Sequence, residues 1–156
     1  MSRYADSTNV SPENTRAEIE RILRRYGATE FAYATKGGKA MIGFKAHDRY
    51  IKILLPVPDI NNREFQFTPA RKQKRSPQEA EKVWEQACKQ RWRALSLLIK
   101  AKLEAIESGI VTFEAEFEAN TVLPNGQTVH EFIQSQIAMA YEKGSMPSLL
   151  PGWDDT

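Results

Sequence analysis

Ser76–Gly109, SPQEAEKVWEQACKQRWRALSLLIKAKLEAIESG, is the stretch around which the rest of this chain must be arranged. Ser76 is placed to accept from a free first-turn N–H, Pro77 has no N–H to lose at the first helical position, and Glu79 completes an S-x-x-E capping box. Gly109 closes the segment. No Gly or Pro interrupts it, so the spacing predicts one helix of about 32 residues, about 48 Å long. Ala80, Val83, Trp84 and Ala87 lie on one face of its first half. From Trp92 to Ile106 apolar residues recur nearly all round, which predicts a second half wrapped by other elements: the sheet on one side and the C-terminal helices on the other.

Upstream, residues 29–55 switch to period two. TEFAYAT, KGGK, AMIGFKA, HDRY and IKILL read as three antiparallel strands joined by tight turns, the first built on Gly37-Gly38. Setting Lys36 against Lys39 places Tyr33 opposite Ile42 and Phe31 opposite Phe44; setting Ala46 against Arg49 places Phe44 opposite Ile51 and Ile42 opposite Ile53. Both registers put Phe31, Tyr33, Ile42, Phe44, Ile51, Ile53 and Leu55 on one face, the pattern of a sheet covered on one side. Ala32, Ala34, Met41, Gly43, Lys45, Tyr50, Lys52 and Leu54 form the open face.

The remaining elements follow from their caps. Ser11, Pro12 and Glu13 open a first helix with Ile19, Ile22, Leu23 and Tyr26 on one face, ending at Gly27. Residues 1–9 are read as a frayed tail. Pro56 and Pro58 end the third strand and begin a basic loop, 56–75, that Phe65 and Phe67 should pin to the core. Residues 113–120 alternate like a strand, but Thr112 as N-cap and the Ala/Glu content favour a short helix stacking Phe113 on Phe117. Thr128 and Glu131 form a second capping box, Gly144 ends that helix, and 145–156 is an extended tail that docks Leu149, Leu150 and Trp153. The expectation is a single α+β domain, 1–156, with a three-stranded antiparallel meander packed on a long central helix in the order α-β-β-β-α-α-α.

At 156 residues the chain can bury roughly 70% of its unfolded surface, so no disulfide or metal staple is needed. The only cysteine, Cys88, lies in the long helix and reads as a packing residue. No membrane span and no apolar leader segment is read from the sequence, which points to the cytoplasm. The histidines, His47 and His130, have neither metal spacing nor a nucleophile partner. None of the nucleophile-elbow, zinc-protease, phosphate-loop or dinucleotide motifs occurs. Neither catalytic residues, metal ligands nor a cofactor are therefore assigned, and the expectation is a protein without enzymatic activity.

Charge is uneven. Residues 1–62 carry 10 Lys/Arg and 7 Asp/Glu, residues 63–102 carry 11 and 4, and residues 103–156 carry 1 and 9. Arg71, Lys72, Lys74 and Arg75 immediately precede a helix N-terminus, which itself carries partial positive charge; the arrangement is unfavourable unless an anion sits there. These four, extended along the helix by Lys82, Lys89, Arg91 and Arg93, are the first candidate phosphate contacts. Lys45, Tyr50 and Lys52 on the open sheet face are a second patch. The leading partner is thus nucleic acid, DNA or RNA. The same charges also suit a homo-oligomer or an inhibitor of a host or phage protein, with basic and acidic surfaces in contact.

The run RWRALSLLIKAKLEAIESGIVTFEAEF, followed by LPNGQTV, resembles a pattern in small uncharacterised proteins encoded by bacteriophages and prophage-like elements. The resemblance covers most of the chain from Ala28 onward and implies a setting, a phage or mobile-element accessory protein, without an assigned activity. The order helix, three strands, helix is similar to that of double-stranded-RNA-binding domains and of Rad52-type annealing proteins. Only the order matches, because Ser76 to Lys89 lacks the small-residue and lysine pattern that opens the second helix of the former.

Overall fold

A computed structural model describes residues 8–146. The first helix, α1 (Pro12–Arg25), starts where Ser11 Oγ accepts the Asn14 N–H at 3.2 Å, and it buries Thr15, Ile19 and Leu23. Three strands follow, β1 (Thr29–Lys36), β2 (Lys39–Ala46) and β3 (Arg49–Pro56), in the sheet order β1-β2-β3. Lys36 pairs with Lys39, Tyr33 with Ile42, Ala46 with Arg49, Phe44 with Ile51 and Ile42 with Ile53, as the alternation requires.

One pairing differs. Thr29 pairs with Lys45 and Ala32 with Gly43, so Glu30 and Phe31 together oppose Phe44 across a bulge. Glu30 takes φ +55 there, the left-handed conformation that absorbs the extra residue. The Phe31 and Phe44 rings still meet, at 6.5 Å between centroids.

The 56–75 segment is built rather than featureless. It contains a one-turn helix, α2 (Arg63–Gln66), and a small hairpin in which Phe67 bridges to Lys74. The hairpin closes with the Thr68 N–H donating to the Gln73 carbonyl at 2.8 Å, the Arg75 N–H donating to the Gln66 carbonyl at 2.7 Å, and Lys72 at φ +50. Phe65 is the buried anchor, and Phe67 is half-buried. The Trp84 indole N–H donates to the Pro58 carbonyl at 2.6 Å, tying the start of the segment to the long helix.

That helix, α3 (Pro77–Glu107), has 31 residues, and Ser76 Oγ accepts the Glu79 N–H at 3.2 Å. Trp92, Leu95, Ser96, Ile99 and Leu103 are buried against α1 and the covered sheet face. The expected wrapping of its second half is incomplete. Ala94, Leu98 and Ala101 lie on a strip that nothing in the described chain covers, with Leu98 51% exposed. Beside it Leu54 of β3 is 47% exposed.

The reason lies in the C-terminal part. After α3, Thr112 caps the short helix α4 (Phe113–Glu116), whose Phe113 stacks 4.9 Å from Phe117, and a 3-10 turn follows at Glu118–Asn120. The helical reading of 113–120 is therefore the correct one, and α4 packs on α3. The last helix, α5 (Val129–Lys143), does not pack along α3 as expected. It is tied to the outer edge of β3: the Val122 N–H donates to the Tyr50 carbonyl at 2.8 Å, and the Val129 N–H to the Thr121 carbonyl at 2.9 Å. Thr128 and Glu131 form the full reciprocal capping box, yet no residue of α5 is buried. Two expectations, the frayed start and the docking of Leu149, Leu150 and Trp153, fall largely or wholly outside the described residues. Of the N-terminal segment, Thr8 touches α3, its carbonyl accepting from Gln86 Nε2 at 2.9 Å.

Candidate nucleic-acid interface

The α2 turn and the 67–75 hairpin stand beside the first half of α3, and between them lies a cleft of about 1140 Å³. One wall is the α3 face carrying Lys82, Val83, Gln86, Lys89 and Gln90, positions that helical spacing aligns on one side. The other wall is Arg63, Phe67, Thr68, Lys72 and Arg75, with Phe65 between the two. Five cations, Arg63, Lys72, Arg75, Lys82 and Lys89, face two carboxylates, Glu64 and Glu85, so the lining carries a net +3.

The sequence-predicted residues divide on this geometry. Lys72, Arg75 and Lys82 line the cleft; Arg71 and Lys74 are exposed on the hairpin but do not line it. Pro77, Gln78 and Glu79, the first residues of α3, are not part of the lining. Arg75 is already engaged in holding the fold. Its Nη1 donates to the Glu64 carbonyl at 2.8 Å and the Phe65 carbonyl at 3.3 Å, satisfying carbonyls that a one-turn helix leaves free.

Lys45, Tyr50 and Lys52 lie on the open sheet face, separate from the cleft, and all three have partners. Lys45 Nζ is 3.6 Å from Glu30 and sits over the Tyr50 ring at 5.4 Å. The Tyr50 hydroxyl donates to Glu30 at 2.8 Å, which pushes its pKa up, and the same carboxylate adds to the shift through its charge. Lys52 Nζ is 3.6 Å from Glu131. Those two carboxylates, 15 residues before and 79 residues after their respective lysines in the chain, neutralise what the sequence reads as a basic patch.

Some cations elsewhere are similarly paired. Glu18 of α1 bridges Arg93 at 2.9 Å and Lys100 at 2.6 Å, and the Lys100 hydrogen bond is the main reason its carboxyl is held below the usual range. Lys102 pairs with Glu116 at 2.8 Å. Among the described residues Arg71, Lys72, Lys74, Lys82 and Lys89 make no ion pair, and neither do Arg21, Arg25, Lys36, Lys39, Arg49 and Arg91 outside the cleft. Two cleft residues were not legible as site residues in the sequence: Arg63, whose guanidinium stacks 5.0 Å over Phe67, and Val83, which is 37% exposed inside the cleft.

Other chemistry lacks a constellation. Cys88 is buried, and desolvation, then the Glu85 carboxylate, push its thiol pKa up, away from a reactive thiolate. Among the described residues no three His, Cys, Asp or Glu side chains converge as a metal site, and no helix is long and apolar enough to cross a membrane. What the cleft offers is a concave lining in which cations alternate with apolar side chains. Comparison of the chain with protein-family models, with curated proteins and with solved structures finds no match in any of the three.

Proposed function

We propose that this chain is a non-enzymatic nucleic-acid-binding protein that holds phosphates in the cleft between the 67–75 hairpin and α3. The observation carrying the reading is the gathering of charge: Arg63, Lys72, Arg75, Lys82 and Lys89 line one cleft against only Glu64 and Glu85, and Lys72, Lys82 and Lys89 make no ion pair among the described residues. Unpaired lysines in a concave site supply the counterion-releasing contacts on which phosphate binding rests. The setting proposed from the resemblance is that of a phage or mobile-element accessory protein.

Labelled single- and double-stranded DNA and RNA, titrated by fluorescence anisotropy at about 50 and about 200 mM salt, test this. Binding should weaken steeply with salt and disappear in a K72A/K82A/K89A variant, in which Arg75 is kept because it holds the α2 carbonyls. Binding that the variant leaves unchanged would remove the cleft from consideration. A protein-interaction module is the second reading. It is favoured by the uncovered Leu54 and Leu98 and by α5, whose Ile137, Met139 and Tyr141 are exposed; a mass above the monomer in light scattering would support it.

A further inference from the structure

Resting on the nucleic-acid reading of the cleft, we infer that the strand it takes is single rather than double. The apolar lining discriminates between them. Phe67 of the hairpin wall is half-buried and Val83 of the α3 wall is 37% exposed, each set among cationic lining residues. A duplex presents phosphates and sugars to a surface and keeps its base faces stacked inside, so apolar side chains set among the cations gain nothing from it. An unpaired strand brings base faces with its phosphates, and an aromatic ring flanked by lysines receives both.

The walls point the same way. Lys82 and Lys89 are two turns apart on α3, about 10.5 Å along its axis, and Lys72 faces them from the hairpin. The cations line both sides of a concavity, a shape that a flexible backbone can follow. Arg63 holds one side of the Phe67 ring, fixing its orientation before any ligand arrives. Three lysine contacts to a single strand predict a log–log salt slope of about −2.

The test is anisotropy with a labelled oligothymidylate of about 12 nucleotides and with a labelled duplex of equal length. The single strand should bind at least about tenfold tighter, and Phe67→Ala should weaken it by about tenfold or more with the salt slope unchanged. Lys82→Ala should instead reduce the slope by about 0.7. Because Phe67 also supports the hairpin, Val83→Glu on the helix surface is the second variant. It should weaken single-strand binding by at least about tenfold, with circular dichroism showing the fold retained. Equal or tighter binding of the duplex overturns the strand assignment alone, as does single-strand binding that neither Phe67→Ala nor Val83→Glu alters. No binding of either ligand at about 50 mM salt overturns the underlying nucleic-acid reading as well.

Discussion

Arg75 and Lys72 show how support and binding divide between single residues. Arg75 donates to two backbone carbonyls of the α2 turn, whereas Lys72, three residues earlier, touches no carboxylate among the described residues. Arg75→Ala should cost about 1–2 kcal/mol in urea unfolding, and Lys72→Ala less than about 0.5 kcal/mol. A reversed order would mean that Arg75 is the spare cation. The α1–α3 contact holds a second residue-level feature, for Thr15 Oγ1 and Ser96 Oγ are both fully buried without a hydrogen-bond partner. An unsatisfied buried hydroxyl is costly, so Thr15→Val and Ser96→Ala should leave stability unchanged or raise it by up to about 1 kcal/mol. Destabilisation by more than that would show that these hydroxyls are satisfied in solution.

At the level of elements, the long helix is the clearest test of what periodicity can and cannot say. Its ends and length were legible because caps and the absence of Gly and Pro are local properties. Which side is covered was not, because coverage depends on where α5 goes, and α5 is placed at the β3 edge by the Val122–Tyr50 backbone bond and by the Lys52–Glu131 pair, contacts between residues far apart in the chain. Leu95→Ala should therefore cost about 2–5 kcal/mol, while Leu98→Gln, one turn away on the uncovered strip, should cost less than about 1 kcal/mol. Equal losses would mean that Leu98 is covered in solution.

The sheet register was legible for a related reason: two-residue turns pin the pairing and a slip would invert every side chain. The bulge at Glu30 escaped because nothing in Thr29-Glu30-Phe31 marks a left-handed residue. Helix α1 is joined to α3 by Glu18 with Arg93 and Lys100, and the lowered Glu18 pKa has a definite sign. The fold favours the ionised carboxylate, so this contribution is complete above the unfolded value near 4.5 and is lost as pH falls through the lower folded pKa. Glu18→Gln should remove about 1 kcal/mol at pH 7 and flatten the acid limb of the stability profile. An acid limb unchanged by the substitution would assign the triad no role in stability.

Across the whole molecule, the charge asymmetry resolves into two kinds of surface. The acidic C-terminal third supplies Glu116 to Lys102, Glu131 to Lys52 and Glu107 to the Tyr26 hydroxyl, so part of the self-complementarity read from the sequence is spent inside the fold. The cleft gathers Lys72, Lys82 and Lys89 with Arg63 and Arg75 against two carboxylates. The sequence showed its cations, since Arg71 to Arg75 form a run, but it could not show their opposite wall. That wall depends on a one-turn helix and a small hairpin laying Phe67 and Lys72 against residues 82–90 of α3. The central claim is that these unpaired lysines bind a nucleic-acid backbone. Its most direct test is the salt dependence of single-stranded oligonucleotide binding to the parent protein and to a K72A/K82A/K89A variant. The account predicts a log–log slope of about −2 for the parent and its loss in the variant; no binding at about 50 mM salt, or the same slope in both proteins, would contradict it.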